Sequence, residues 1–160
     1  MGEKTEIRHG EKQLDFDPLE RVDAEIRFIG RIRTPWSRGN CPKNVTRARE
    51  TGQGAIVELD LPFVEGLTGL EVGQGILLFY WMDQAHRDLI TQRPRHHDSA
   101  RGTFALRSPN RVNPISLAAV RITSLDQAAG RIGIDAIDCF DGTPLVDIKP
   151  SAPAVDVPPK

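Results

Sequence analysis

From Ala24 to Ile137 the apolar residues recur with period two or in short continuous runs closed by glycine or proline, and helical spacing is rare. Such a pattern makes strands, and a chain of strands must dispose of its open edges. "AEIRFIGRIRT" alternates Ile26 and Phe28 and then shifts at Gly30, the expected site of a bulge. "AIVELDL" sets Ala55, Val57 and Leu59 on one face, and "GILLFYWM" from Gly75 is apolar on both, as a central strand should be. "GTFAL", "ISLAAVRITSL" and "RIGIDAI" add further strands, the last two joined by the turn "DQAAG", with one or two helical turns expected near "FVEGLTGLE". The prediction is an all-β chain, a small closed or nearly closed barrel of six or more short strands with few helical turns, because closure removes the edges.

At 160 residues the chain has the length of one domain and buries about 70% of its unfolded surface, so no disulfide is needed to hold it. The domain is expected over residues 23–150. Residues 1–22 are charged and aperiodic and read as a flexible or packing arm; residues 151–160 are a proline-rich tail. Cys41 and Cys139 stand far apart, with no CxxC pair and no histidine at metal-ligand spacing, which predicts a reduced, cytoplasmic chain. The start, "MGEKTEIRHGEK", is charged where a signal peptide is apolar, and "ILLFYWM" is too short to span a bilayer, so no membrane insertion is expected. His96, His97 and Asp98 are adjacent, which points neighbouring side chains to opposite faces of a strand, and no further cluster completes a metal set.

The formal net charge is -1, yet residues 87–111 carry six arginines and two histidines against two aspartates. Charge alone fits equally a solvated loop and a surface for polyanions, of which nucleic-acid phosphate is the commonest in a cytoplasm. No Walker loop, no GxGxxG, no GxSxG and no HExxH is present. Three polar loops with proline or glycine remain: "RGNCPKN" from Arg38, "RSPNRVNP" from Arg107 and "DCFDGTPLVDIKP" from Asp138. Each taken singly is also ordinary turn chemistry.

Taken together and in order, "IGRIRTPWSRGNCPKN", "LLFYWMDQAHRDLI", "QRPRHHDSARGTFALRSPNRVNPISL" and "DAIDCFDGTPLVDIKP" resemble the TsaA-like family over about residues 26–150. These are S-adenosylmethionine-dependent methyltransferases acting on N6 of threonylcarbamoyladenosine beside the tRNA anticodon. The resemblance implies a cofactor, S-adenosylmethionine, held by a β-barrel, and a homodimer with the cofactor near the interface. It implies Lys43, Asn44, Asp83, Gln84, Arg107, Leu117, Asp138, Asp141, Gly142, Thr143 and Pro144 as cofactor neighbours. Arg107 would orient the methionine carboxylate or the adenosine side, and Leu117 would cover the adenine.

An acceptor nitrogen carrying a carbamoyl group is poorly nucleophilic and must lose its proton, so a hydrogen-bond acceptor should lie within reach. Asp141 and Asp138 are the first candidates, with the Asn113-Pro114 carbonyls as alternatives. Arg93, Arg95, Arg101 and Arg111 would grip anticodon-loop phosphates, while Trp36, Trp81 or Phe104 would stack a splayed base, Trp81 reading as core before platform because it ends an apolar strand. Where the family has Arg-Pro-Asn-Pro-Ile-Gly, this chain has "RVNPIS", with Val112 for proline and Ser116 for glycine. A methyltransferase for another nucleoside or small molecule, and a non-catalytic regulator binding S-adenosylmethionine or RNA, are the other readings.

Overall fold

Strands that alternate inward and outward residues can bury one face, and lose their open edges, by curling into a barrel, and this chain does so. The computed structural model describes residues 6–160. In chain order the elements are β1 (Lys12–Gln13), β2 (Gly30–Arg33), α1 (Val45–Glu50), β3 (Ala55–Leu59), a 3-10 helix (Leu61–Leu67) and β4 (Gly75–Trp81). There follow β5 (Leu89–Gln92), β6 (Arg101–Gly102), a 3-10 turn (Thr103–Ala105), β7 (Ile115–Asp126), β8 (Arg131–Ile134), β9 (Thr143–Pro150) and α2 (Pro153–Asp156). Six strands close into a barrel in the order β2-β3-β8-β7-β4-β9. The all-β expectation therefore holds, and the barrel is fully closed.

The period-two pattern explains which residues face inward. Ala55, Val57 and Leu59 of β3 are buried, as are Ile76, Leu78 and Tyr80 of β4, with their sequence neighbours partly exposed. Ile32, Val57 and Ile132 meet at one level, because Ile32 pairs with Val57 and Val57 with Ile132. The last strand completes the ring: Gly30 of β2 pairs with Leu145, and Leu78 of β4 pairs with Ile148.

The chain divides into two compact units. One joins the chain up to Ile26 with Trp81–Ser116, and the other joins Arg27–Tyr80 with Leu117–Lys160 and holds most of the barrel. In the first unit β5 lies between β1 and β6 in a three-stranded sheet. Part of the segment expected as an arm is thus a strand, with Lys12 paired to Thr91.

Three expectations about elements are corrected. "GTFAL" is not a strand: β6 ends at Gly102, and the buried Thr103 hydroxyl donates to the Leu89 carbonyl at 2.8 Å, turning the chain into a 3-10 turn. Gly30 is not a bulge, since its register runs unbroken to β3 and β9. It is the first residue of β2, so Ile26 and Phe28 precede the strand, and a Cβ there would overlap the Glu58 carbonyl oxygen, so only glycine permits the approach. "RIGIDAI" stops being a strand at Ile134, where the half-buried Asp135 carboxylate accepts the Arg121 N–H and the Arg49 side chain. The helical turn near Phe63 is present as the first 3-10 helix. The helix α1 was not foreseen; its cap is Asn44, whose side chain accepts the Arg47 N–H at 2.9 Å.

Gly30→Ala should destabilise the fold by about 3 kcal/mol through overpacking against backbone. The expected fall in Tm is about 6–12 °C. Gly66→Ala, a position where an added Cβ meets nothing within 4 Å, should shift the thermal melt by much less; equal shifts would refute the close-approach account.

Candidate functional site

The barrel unit carries the "DCFDGTP" turn as a braced structure. Asp141 Oδ1 accepts the Thr34 N–H at 3.1 Å, the Asp141 N–H donates to the Trp36 carbonyl at 2.8 Å, and the Gly142 N–H to the Ile32 carbonyl at 2.9 Å. Arg33 Nη1 stands 3.9 Å from Asp141 Oδ2. Gly142 has φ +80°, the left-handed region where glycine carries no steric penalty. The Thr143 hydroxyl donates to the Phe140 carbonyl at 2.7 Å, and Thr143 and Pro144 already belong to β9. What sequence presents as a loop is half strand.

Asp138 differs from Asp141. It is half-buried, and its Oδ1 accepts the Tyr80 hydroxyl from β4 at 3.4 Å. Asp141, by contrast, is exposed and spends its carboxylate on Thr34 and Arg33. On the same unit Lys43 is exposed, Asn44 is the α1 cap, and Leu117 is exposed for so apolar a side chain, at 38%.

Two cysteines lie near Asp138. Burial pushes the Cys41 thiol up to about 11, with the Asp138 charge adding to it. Burial pushes Cys139 up to about 12 against a lowering hydrogen bond with Thr143, and the Asp138 and Cys41 charges raise it further. Neither is a nucleophile at neutral pH.

The other unit holds the arginine-rich segment. Its "RSPNR" loop is braced from within: Arg111 Nη1 donates to the Leu106 and Ser108 carbonyls at 3.2 and 3.0 Å, and the Asn110 side chain accepts the His86 N–H at 3.0 Å. The Gln92 amide, buried, donates to the Asn110 carbonyl at 2.7 Å and the Thr103 hydroxyl at 2.9 Å. Arg87 Nε donates to the Val112 carbonyl at 2.6 Å while its guanidinium lies 5.2 Å from the Trp81 ring centre. Val112 in place of proline leaves that carbonyl available, since the bond uses backbone only. Asp83 and Gln84 follow β4 after Met82, Asp83 exposed and Gln84 half-buried.

Residues 31–157 match a family model described as the tRNA-methyltransferase O N-terminal domain. The chain belongs to this family. It is 36% identical over 132 residues to the probable S-adenosyl-L-methionine-binding protein VirR of Rhizobium radiobacter, covering 82% of this chain and 73% of that one. It is 33% identical over 132 residues to an S-adenosyl-L-methionine-binding protein of Archaeoglobus fulgidus, covering 82% and 91%. A crystal structure of TrmO superposes with a TM-score of 0.68 at 32% identity, covering 85% of this chain and 61% of that chain. The chain thus spans about three-fifths of that TrmO structure's length.

Within this tRNA-methyltransferase O domain the expected site residues fall on both units. Lys43, Asn44, Leu117, Asp138, Asp141, Gly142, Thr143 and Pro144 belong to the barrel unit; Asp83, Gln84, Arg107 and Asn113 belong to the other, with Arg93, Arg95, Arg101 and Arg111. Arg93, Arg95 and Arg101 are exposed, but Arg111 is half-buried on carbonyls. Trp36 is corrected as a stacking platform: it is 7% exposed and its indole N–H donates to the Ile137 carbonyl at 2.9 Å. Phe104 is 79% exposed. Tyr80, His86, Arg87, Gln92 and Asn110 were not singled out from sequence; only the arginine-rich composition around Arg87 hinted at them. Among the described residues no three metal-ligating side chains cluster, and no helix is long and apolar enough to cross a membrane.

With both thiols raised, Ellman's reagent at pH 8 should label the native protein on the order of a hundredfold more slowly than a free cysteine, and the rate should recover on unfolding. The thiols stay protonated in the folded chain above their ordinary value of about 8.5, so their contribution to stability is complete below that pH and is lost as pH rises toward 11 to 12. Fast labelling of native protein at pH 8 would contradict this environment.

Proposed function

We propose that this chain is an S-adenosylmethionine-dependent methyltransferase that methylates N6 of threonylcarbamoyladenosine next to the anticodon of tRNA, working as a homodimer. The observation that carries the reading is the family match over residues 31–157, which spans the barrel except its first residue, Gly30, and all three polar loops. The relatives named for binding S-adenosyl-L-methionine support the cofactor. A positively charged sulfonium and amino group call for a carboxylate, and adenine for an exposed apolar side chain; the barrel unit offers Asp138 and Leu117. The residues present fit that group.

S-adenosylmethionine supplies an already activated methyl, so the protein's work is alignment, exclusion of water and removal of the N6 proton. Of the two carboxylates we assign the proton-accepting role to Asp138, because the Tyr80 hydroxyl orients it and its surroundings are half-buried. Asp141 holds the turn, through Thr34 and Arg33. Arg107 presents a planar fork suited to a carboxylate, here the methionine end of the cofactor. Asn113 is oriented by Arg87, at 3.4 Å from its Nη2. Arg93, Arg95 and Arg101 are exposed and suited to phosphate contacts of the anticodon loop, with Phe104 as the exposed ring for stacking.

The test is incubation of purified protein with methyl-labelled S-adenosylmethionine and tRNA containing threonylcarbamoyladenosine, followed by mass spectrometry of the nucleosides. Label on that nucleoside is expected, with Asp138→Asn lowering kcat by about a hundredfold or more and Arg107→Ala raising the KM for the cofactor by about tenfold. Cofactor binding without transfer to any tRNA nucleoside would overturn the methyltransferase reading, and label on a different nucleoside would overturn the acceptor.

A further inference from the structure

A concave site in the first unit joins Arg93 and Arg107, given roles above, to residues that no role has used. It holds about 250 Å³ and is walled by Glu6, Arg8 and Glu11 from the N-terminal segment, by Arg93, and by Arg107 of the "RSPNR" loop, with His86 and Gln92 as buried groups. The family match begins at residue 31, so Arg8 and Glu11 lie outside it. They are nevertheless fixed in place. Glu11 Oε2 accepts the Arg8 N–H at 2.9 Å and Oε1 accepts the Arg93 N–H at 3.1 Å, while Arg8 Nη1 donates to the Arg93 carbonyl at 3.2 Å. The Gln13 amide and the Leu14 N–H bond the Asp88 carboxylate and carbonyl, both at 2.7 Å, anchoring the next residues to β5.

The charge balance of this cavity points to its occupant. Glu11 spends both oxygens on backbone N–H groups. Among the described residues neither the Arg8 nor the Arg93 guanidinium forms an ion pair. Glu6 also lines the hollow without an ion pair to either, so three arginines stand against two carboxylates, one of them spent on backbone, and the surplus of forked cations suits one planar or tetrahedral oxyanion.

We propose that this cavity binds an oxyanion carried by the methyl acceptor, and that the N-terminal segment, through Arg8, completes the subsite. The assignment to the acceptor rests on the function proposed above. The oxyanion is either a carboxylate on the modified base or a phosphate of the nucleotide.

Calorimetric titration of the full chain with three probes separates these sources: adenosine, with neither group; adenosine 5′-monophosphate, with a phosphate; and threonylcarbamoyladenosine nucleoside, with a carboxylate. At least one oxyanion-bearing probe should bind at least about tenfold more tightly than adenosine, consistent with charge-assisted hydrogen bonds. The probe that gains identifies the group. In the double variant R8A/R93A the gap should shrink below about threefold, R8K/R93K should keep part of it, and Arg21→Ala, an exposed arginine paired with Asp23 outside the cavity, should keep all of it.

Equal binding of all three probes, or a gap that survives R8A/R93A in a variant with a native melting curve, would overturn the subsite. A parallel titration with S-adenosylmethionine keeps the two ideas apart. Cofactor binding and methyl transfer without discrimination among the probes would remove the subsite alone. Discrimination without cofactor binding would remove the methyltransferase reading and leave an oxyanion site in place.

Discussion

The pairing of β9 with β2 on one side and β4 on the other is the constraint on which the rest depends. Without it the strands would form an open sheet with two exposed edges, and the alternation of buried and exposed residues would have no enclosed side. Leu145, fully buried and paired with Gly30, sits where the ring closes. The turn from Asp138 to Gly142 leads straight into that closing strand. Its hydrogen bonds to Ile32, Thr34 and Trp36 therefore serve closure and site together. A chain that failed to close would also lose the carboxylates' positions.

A division of labour runs through the polar residues. Some brace backbone: Asp141 on Thr34, Arg111 on Leu106 and Ser108, Arg87 on Val112, Asn110 on His86. Others, such as Arg93, Arg95 and Phe104, stand exposed on the segments so braced. The stiffness of "RSPNRVNP" comes from this internal bonding as much as from its two prolines, which is how a loop outside regular structure can hold side chains for a ligand.

Much of the barrel was legible because period two states which face is buried: Ala55, Val57 and Leu59 could be placed before any coordinates. Residues whose conformation depends on a distant partner were not legible. Gly30 reads locally as a shift in pattern, while its reason is the Glu58 carbonyl across the sheet. Thr103 reads as a strand residue, and its hydroxyl finds Leu89. At the site, residue types singled out candidates such as Asp138, but the difference between Asp138 and Asp141 rests on Tyr80 and Thr34, which no spacing announces. The family resemblance agrees with the match over residues 31–157, whereas Arg8 and Glu11, which line the cavity of the other unit, lie beyond that match.

The chain leaves the barrel unit after Tyr80 and returns at Leu117, on β4 and β7, which are neighbours in the ring. The neck of this excursion is tied by the Met82 N–H donating to the Pro114 carbonyl at 2.9 Å. Departure and return on adjacent strands make the excursion a graft. Its length can therefore change without altering the pairing of any of the six barrel strands.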